Sequence, residues 1–187
     1  MESVDRADTR ADGGDVAARA RFERSVRELV VPLRRYLARR TDAATADDVL
    51  ADTLLVCWRR RDEVPEQPLP FAYGVARLCL ANAERSARRQ RRVARKIATL
   101  EPPLEAPAPV GDDRLAEAWT GLADDDAELL RLWAWEQLTP AEIATVLGVT
   151  PNAASIRLHR AKDRLRSELR KVDPAAGHED TTEGGRR

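Results

Sequence analysis

Two helix-start signals of one type stand eleven residues apart in this chain, with a glycine between them. Thr139 and Pro140 are followed by Glu142, and Thr150 and Pro151 repeat the first two residues. A threonine hydroxyl accepts from the orphan amides of a first turn, and proline at the first helical position brings a preset φ and no amide in need of a partner. Glu142 at the third position completes a capping box. Two helices therefore begin there, and Gly148 supplies the positive φ that so tight a reversal needs. The string LTPAEIATVLGVTPNAASIRLHRAKDRL reads as a short helix, a turn and a second helix. Ile143, Val146, Leu147, Val149, Ala154, Leu158, Ala161 and Leu165 supply its interior, and Ala144 is small where the two helices approach.

The rest of the chain also follows the helical period. Phe22, Val26, Leu29, Val30, Leu33 and Leu37 share one face of a first helix, in which Pro32 predicts a kink or a break. Thr45, with Asp48 three residues on, predicts the capping box of a second helix that carries Leu50, Thr53, Leu54, Cys57 and Trp58 on a stripe. Pro65, Pro68 and Pro70 predict an irregular loop, and a third helix is expected from about Phe71, burying Phe71, Val75, Leu78 and Cys79. EPPLEAPAPVGD restricts the backbone too much for a helix or a paired strand. Beyond it, Leu115, Trp119 and Leu122 form a short stripe, and Leu129, Leu130, Trp133 and Leu138 another, capped by Asp124 or a neighbouring aspartate. Apolar and polar residues nowhere alternate for long, so the expected fold is all-α: two small helical domains, 17–97 and 114–172, joined by a Pro-rich linker over 98–113. Residues 1–16 and 173–187 lack periodicity and are expected as disordered tails.

Composition excludes several classes. Two cysteines and two histidines cannot supply a four-ligand zinc site or a disulfide framework, and no metal or cofactor is expected. No apolar run is long enough for a membrane helix and the N-terminus lacks a signal peptide's apolar core, so a soluble, cytoplasmic protein is expected. The 32 basic and 32 acidic residues cancel in sum but not along the chain. Arg85 to Lys96 holds seven basic residues and no acid, Glu101 to Glu142 eleven acids against Arg114 and Arg131, and Arg157 to Lys171 seven basic residues against Asp163 and Glu168. Two basic blocks around an acidic middle suit a polyanion contacted at two separate places.

Those blocks coincide with the candidate functional residues. On the second helix of the pair, Asn152, Ala153, Ser155, Ile156, Arg157, His159 and Arg160 face outward beside the cap Thr150, where a recognition helix presents side chains to the major groove. His159 sits among Arg157, Arg160 and Lys162 with no nucleophile or carboxylate constellation around it, which favours a phosphate or base contact over a general base. The block from Arg85 continues a helix that starts with Phe71 and Tyr73. Aromatics beside arginines suit single-stranded nucleic acid, and equally a solvated helix end above two core rings. Asp47, Asp48 and Asp52 are explained by capping and surface charge rather than by a metal or an acid/base group.

Taken together, these segments resemble the bacterial RNA polymerase sigma factors of the sigma-70 family, in their small extracytoplasmic-function group, which keeps the second and fourth conserved regions. ADDVLADTLLVCWRR looks like the core-polymerase-binding helix, with Asp47, Asp48, Val49, Leu50, Asp52, Thr53, Leu54 and Trp58 at its pattern positions. The resemblance implies docking on the coiled coil of the β′ subunit, with the β flap as a further contact. PFAYGVARLCLANAERSARRQRR resembles the melting and −10 segment, through Phe71, Tyr73, Val75, Ala76 and Arg77; Asn82, Arg85, Arg88 and Arg89 follow as −10 DNA-binding candidates. Leu78 stands where the family commonly has asparagine, and Asn82 does not align with that position. The C-terminal string resembles the −35-binding region, with Glu142, Ile143, Ala144, Leu147, Gly148, Arg157, Leu158, His159, Arg160, Ala161, Arg164 and Leu165 in register, and with departures at Ser155 and Ile156.

The likeness spans about residues 20–170. It implies a non-enzymatic initiation factor that binds core polymerase and promoter DNA, helps open the duplex, threads its linker near the active-centre and RNA-exit channels, and is held by an anti-sigma protein. It implies no small-molecule substrate and no membrane insertion. The rivals are a stand-alone helix-turn-helix regulator, a polymerase-binding protein that imitates the core-binding helix, and, most poorly supported by two histidines, an enzyme.

Overall fold

The apolar stripes fold as helices throughout. The structure, a computed structural model, describes residues 5–97 and 113–172, and among them it holds seven helices and no strand. They are α1 (Asp5–Ala38), α2 (Ala43–Arg59), α3 (Pro68–Ile97), α4 (Asp113–Thr120), α5 (Asp124–Ala134), α6 (Pro140–Leu147) and α7 (Pro151–Val172). Helices α1–α3 belong to one compact unit, and α4, α5, the start of α6 and α7 to a second. The linker expected over 98–113, except Asp113, and the tail over 173–187 lie outside the described residues.

In the first unit each helix packs on the other two. Leu29, Leu33 and Leu37 of α1 are buried with Val49 and Leu50 of α2 and with Ala72, Ala76 and Leu80 of α3. Each large aliphatic side chain removed from water contributes roughly 1.5–3 kcal/mol. Tyr36 and Tyr73 meet at the α1–α3 contact with ring centroids 5.0 Å apart, and Phe22 meets Trp58 edge-on at 5.3 Å, tying early α1 to the end of α2. Arg40 closes α1: it donates to the Tyr36 carbonyl at 2.9 Å and lies 3.7 Å above the Tyr36 ring.

Four local expectations are corrected. Helix α1 starts at Asp5, inside the stretch expected as a tail, although DRADTRADGGDV holds four aspartates and two glycines, which propensity alone would keep out of a helix. Of the kink or break expected at Pro32, the break does not occur, and the helix runs on through it. The N-cap of α2 is Asp42, not Thr45: its carboxylate accepts from the Thr45 amide at 3.0 Å and the Thr45 hydroxyl at 2.7 Å. Finally, Pro68 and Pro70 belong to the first turn of α3, where amides have no intrahelical acceptor and proline's missing donor costs nothing.

In the second unit α4 and α5 both pack on α7. Ala118, Leu129, Leu130 and Leu132 bury against Ala154, Leu158 and Ala161. Helix α5 is capped by Ala123 with no side-chain bond, so the expected aspartate cap does not form; Asp124, Asp125 and Asp126 occupy the first turn instead. Asp126 is turned inward and accepts from Arg164 of α7. Trp119 stacks on Trp135 with centroids 5.6 Å apart, while Leu115 and Trp133, both expected inside, are exposed; Lys162 covers the Trp133 ring at 3.5 Å.

Candidate functional site

The helix pair α6 and α7 forms as its caps dictate. The Thr139 amide donates to Glu142 Oε2 at 2.8 Å while the Glu142 amide donates to Thr139 Oγ1 at 3.3 Å, the reciprocal bonds of a capping box. Helix α6 then stops at Gly148, whose φ of 65° lets the Val149 amide reach the Ala144 carbonyl at 3.0 Å. The Ala153 amide donates to Thr150 Oγ1 at 3.2 Å and opens α7.

This start sets which side of α7 meets solvent. Ala154, Leu158 and Ala161 are buried at helical spacing, and Thr150, Asn152, Ser155, Ile156, Arg157, His159 and Arg160 are exposed, with Ala153 half-buried. The expected outward set is thus brought onto one exposed surface. His159 Nε2 lies 3.2 Å from Asp163, which also accepts from Arg166, so an acid sits within this cationic face.

On α2 the expected set divides. Asp47, Asp48 and Asp52 are exposed, Leu54 and Trp58 are half-buried, and Leu50 and Thr53 are buried. Those two cannot present themselves to a partner: Leu50 fills the core, and the Thr53 hydroxyl donates to the Val49 carbonyl at 2.6 Å. Leu55, which the apolar stripe omitted, is exposed instead. Arg34 lies 3.6 Å from Asp47, and Arg61 lies 4.9 Å over the Trp58 ring.

Helix α3 divides in the same way. Tyr73 is packed in the core against Tyr36, whereas Phe71 is half-buried beneath the Arg60 guanidinium at 5.1 Å. Arg77 is half-buried, and Asn82, Arg85, Arg88 and Arg89 are exposed. Arg85 donates to Asn82 Oδ1, and Arg88 lies 3.7 Å from Glu84. Leu78, expected inside, is 58% exposed.

Titratable groups add little chemistry. Burial pushes the Cys57 thiol up to about 11, helped by nearby Cys79 and opposed by Arg60, and burial also raises Cys79. Hydrogen bonds from Thr45 hold the Asp42 carboxyl below the usual range. Among the described residues no cluster of His, Cys, Asp and Glu is arranged to hold a metal, and no helix is long and apolar enough to cross a membrane.

Comparison with known proteins agrees with this arrangement. Residues 112–165 match the family Sigma-70, region 4. Over 168 residues, 85% of this chain and 95% of the relative, the sequence is 31% identical to the ECF RNA polymerase sigma factor SigL of Mycobacterium tuberculosis. The chain belongs to the ECF RNA polymerase sigma factors. Its fold is similar to two solved structures. One is the sigma factor RpoE from Bartonella quintana in complex with the anti-sigma factor NepR, at TM-score 0.57 and 22% identity over 81% of this chain and 98% of that one. The other is CnrH in complex with the cytosolic domain of CnrY, at TM-score 0.55 and 21% identity over 85% and 97%. As an ECF sigma factor the chain acts in transcription initiation. A stand-alone regulator built on the helix pair would leave the match across the first unit unexplained.

Proposed function

We propose that this sigma factor divides its work between the two units. The domain over 17–97 binds core RNA polymerase and the −10 element, the domain over 114–172 binds the −35 element, and the linker over 98–113 spans the polymerase between them. The capped start of α7 carries the DNA-binding part of this reading, because it turns Asn152, Ser155, Ile156, Arg157, His159 and Arg160 outward from one short stretch, with Thr150 and Ala153 at the edge. Phosphate contacts by Arg157 and Arg160 would position the helix, and the neighbouring side chains would meet base edges.

On the first unit, Asp47, Asp48 and Asp52 with the exposed flank of Leu54 and Trp58 form the surface for the β′ coiled coil, while Leu50 and Thr53 hold that surface in shape from within. Phe71, Arg77, Asn82, Arg85, Arg88 and Arg89 face the −10 strand, and Tyr73 supports them from the core. The second unit meets the β flap. An anti-sigma protein completes the set of partners, since both similar structures were solved as complexes with such proteins or with a cytosolic partner domain. No residue here is assigned catalysis.

Run-off transcription with purified core polymerase on a pooled genomic template, with and without the protein, tests this reading. New 5′ ends that share elements near −10 and −35 support it. Binding to core without new starts refutes the promoter-reading part, and absence of core binding refutes the α2 assignment.

A further inference from the structure

Leu78 is the most exposed large apolar side chain among the described residues, at 58%. It heads a stripe on α3 made of Leu78, Asn82, Arg85 and Arg89, at i, i+4, i+7 and i+11, all of them exposed. Such spacing puts the four on one side of the helix over about 16 Å. Packing does not call for a leucine there, and the surrounding charge is basic.

Asn82 is oriented by its neighbour. Arg85 donates to Asn82 Oδ1, and because a guanidinium carries donors only, the amide oxygen must face it; the NH2 group is the edge that remains. The stripe therefore presents an aliphatic surface, then an N–H donor one turn on, then two cations. Base edges differ in what they set against this order. Thymine places a C5-methyl beside the O4 acceptor, cytosine has a donor and no methyl there, adenine pairs a donor with an acceptor, and guanine has two acceptors and no methyl.

We infer that Leu78 and Asn82 read a thymine of the −10 element. Leu78 covers the C5-methyl, Asn82 donates its Nδ2–H to O4, and Arg85 and Arg89 hold neighbouring phosphates. This specificity pair rests on the proposed contact of α3 with the −10 strand.

The test uses holoenzyme assembled from the full chain, on a promoter recovered by mapping 5′ ends, with single-base changes in the non-template strand of the −10 element. Deoxyuridine removes only the methyl, and at the thymine in question it should lower open-complex formation about fourfold, the equivalent of one methyl-sized group left in water. In Leu78→Ala the difference between thymine and uracil should vanish. 5-Methyl-deoxycytidine keeps the methyl but sets a donor against the Asn82 donor, so it should be rejected by the natural protein and tolerated better by Asn82→Ala. A thymine–uracil difference that survives Leu78→Ala overturns the proposal, as does a Leu78→Ala defect equal at every −10 sequence, which would make Leu78 a wedge between bases. Arg89→Ala separates the two levels. Weaker opening on all sequences with no thymine–uracil difference in the natural protein overturns the pair alone, whereas unchanged opening in both Arg85→Ala and Arg89→Ala overturns the α3 reading and the pair with it.

Discussion

Arg164→Met should destabilise the second unit by about 2 kcal/mol, and the figure follows from the lopsided burial of one ion pair. Asp126 has a side chain only 9% exposed, whereas that of its partner Arg164 is 60% exposed. An exposed pair contributes about 0–1 kcal/mol and breaking a buried one costs about 3–5 kcal/mol. Here only the acid is sheltered, so the loss falls between, near the roughly 1.5–3 kcal/mol of a hydrogen bond to a charged group. Methionine keeps the apolar stem of the arginine, so packing is largely conserved. The first turn of α5 continues to favour the carboxylate by about 0.3–1 kcal/mol, which keeps the cost below the buried limit. Urea unfolding followed by tryptophan fluorescence reads the effect, since Trp119, Trp133 and Trp135 all lie in this unit. With a slope of about 1 kcal/mol per molar for so small a domain, the midpoint should fall by about 2 M. Adding Asp126→Asn should recover part of the loss, with a coupling energy of about 1 kcal/mol or more. A midpoint moved by less than about 0.5 M, or no coupling in the double variant, would refute the reasoning.

Other outcomes follow from the same structure. Gly148→Ala should cost about 1–2 kcal/mol in the same unfolding assay through its φ alone, because no atom lies within 4 Å of the added Cβ; Gly148→Asn should cost less, and equal costs would point to something other than backbone strain. Cys57 should be alkylated by iodoacetamide at pH 8 more slowly than Cys79, as mass spectrometry can follow, and equal rates would contradict its burial. Its raised pKa also sets a sign: the contribution to stability is full below about 9, where the unfolded thiol is still protonated, and falls as pH rises towards about 11, where the folded one ionises. Arg157→Ala should weaken promoter binding across all −35 sequences and reduce the slope of log affinity against log salt by about one, and an unchanged slope would remove Arg157 from the phosphate contacts.

What could be read from the sequence was whatever is settled within a turn or two of helix. The Thr139–Glu142 box and the Thr150 cap are contacts between residues three apart, and the positive φ at Gly148 belongs to a single residue, so spacing alone exposed them. The cap of α2 shows the limit of that method. Asp42 and Thr45 are both good caps, and the choice fell to Asp42 because its carboxylate takes two bonds from Thr45 at once. A cap was expected from Asp124 or a neighbouring aspartate, and spacing could not show that Asp126 has a partner 38 residues along the chain. The same blindness to distant neighbours hid the contact of Tyr73 with Tyr36 and the burial of Thr53, whose hydroxyl turns back to the Val49 carbonyl one turn before it. Leu78 was misplaced in the opposite direction, because an apolar residue at helical spacing reads as core until the packing face is known.

The two prolines that open α3 have a consequence for how such chains can change in length. A helix whose first turn holds Pro68 and Pro70 has a firm starting point, and every later side chain takes its direction by counting from it. Residues gained or lost in the segment before Pro68 would lengthen or shorten the approach and leave the reading stripe aimed as before. One residue inserted between Pro70 and Leu78 would instead swing Leu78, Asn82, Arg85 and Arg89 together by about 100° relative to the start of the helix. Tolerance of insertions should therefore change abruptly at Pro70, from a length that can drift to an angle that cannot.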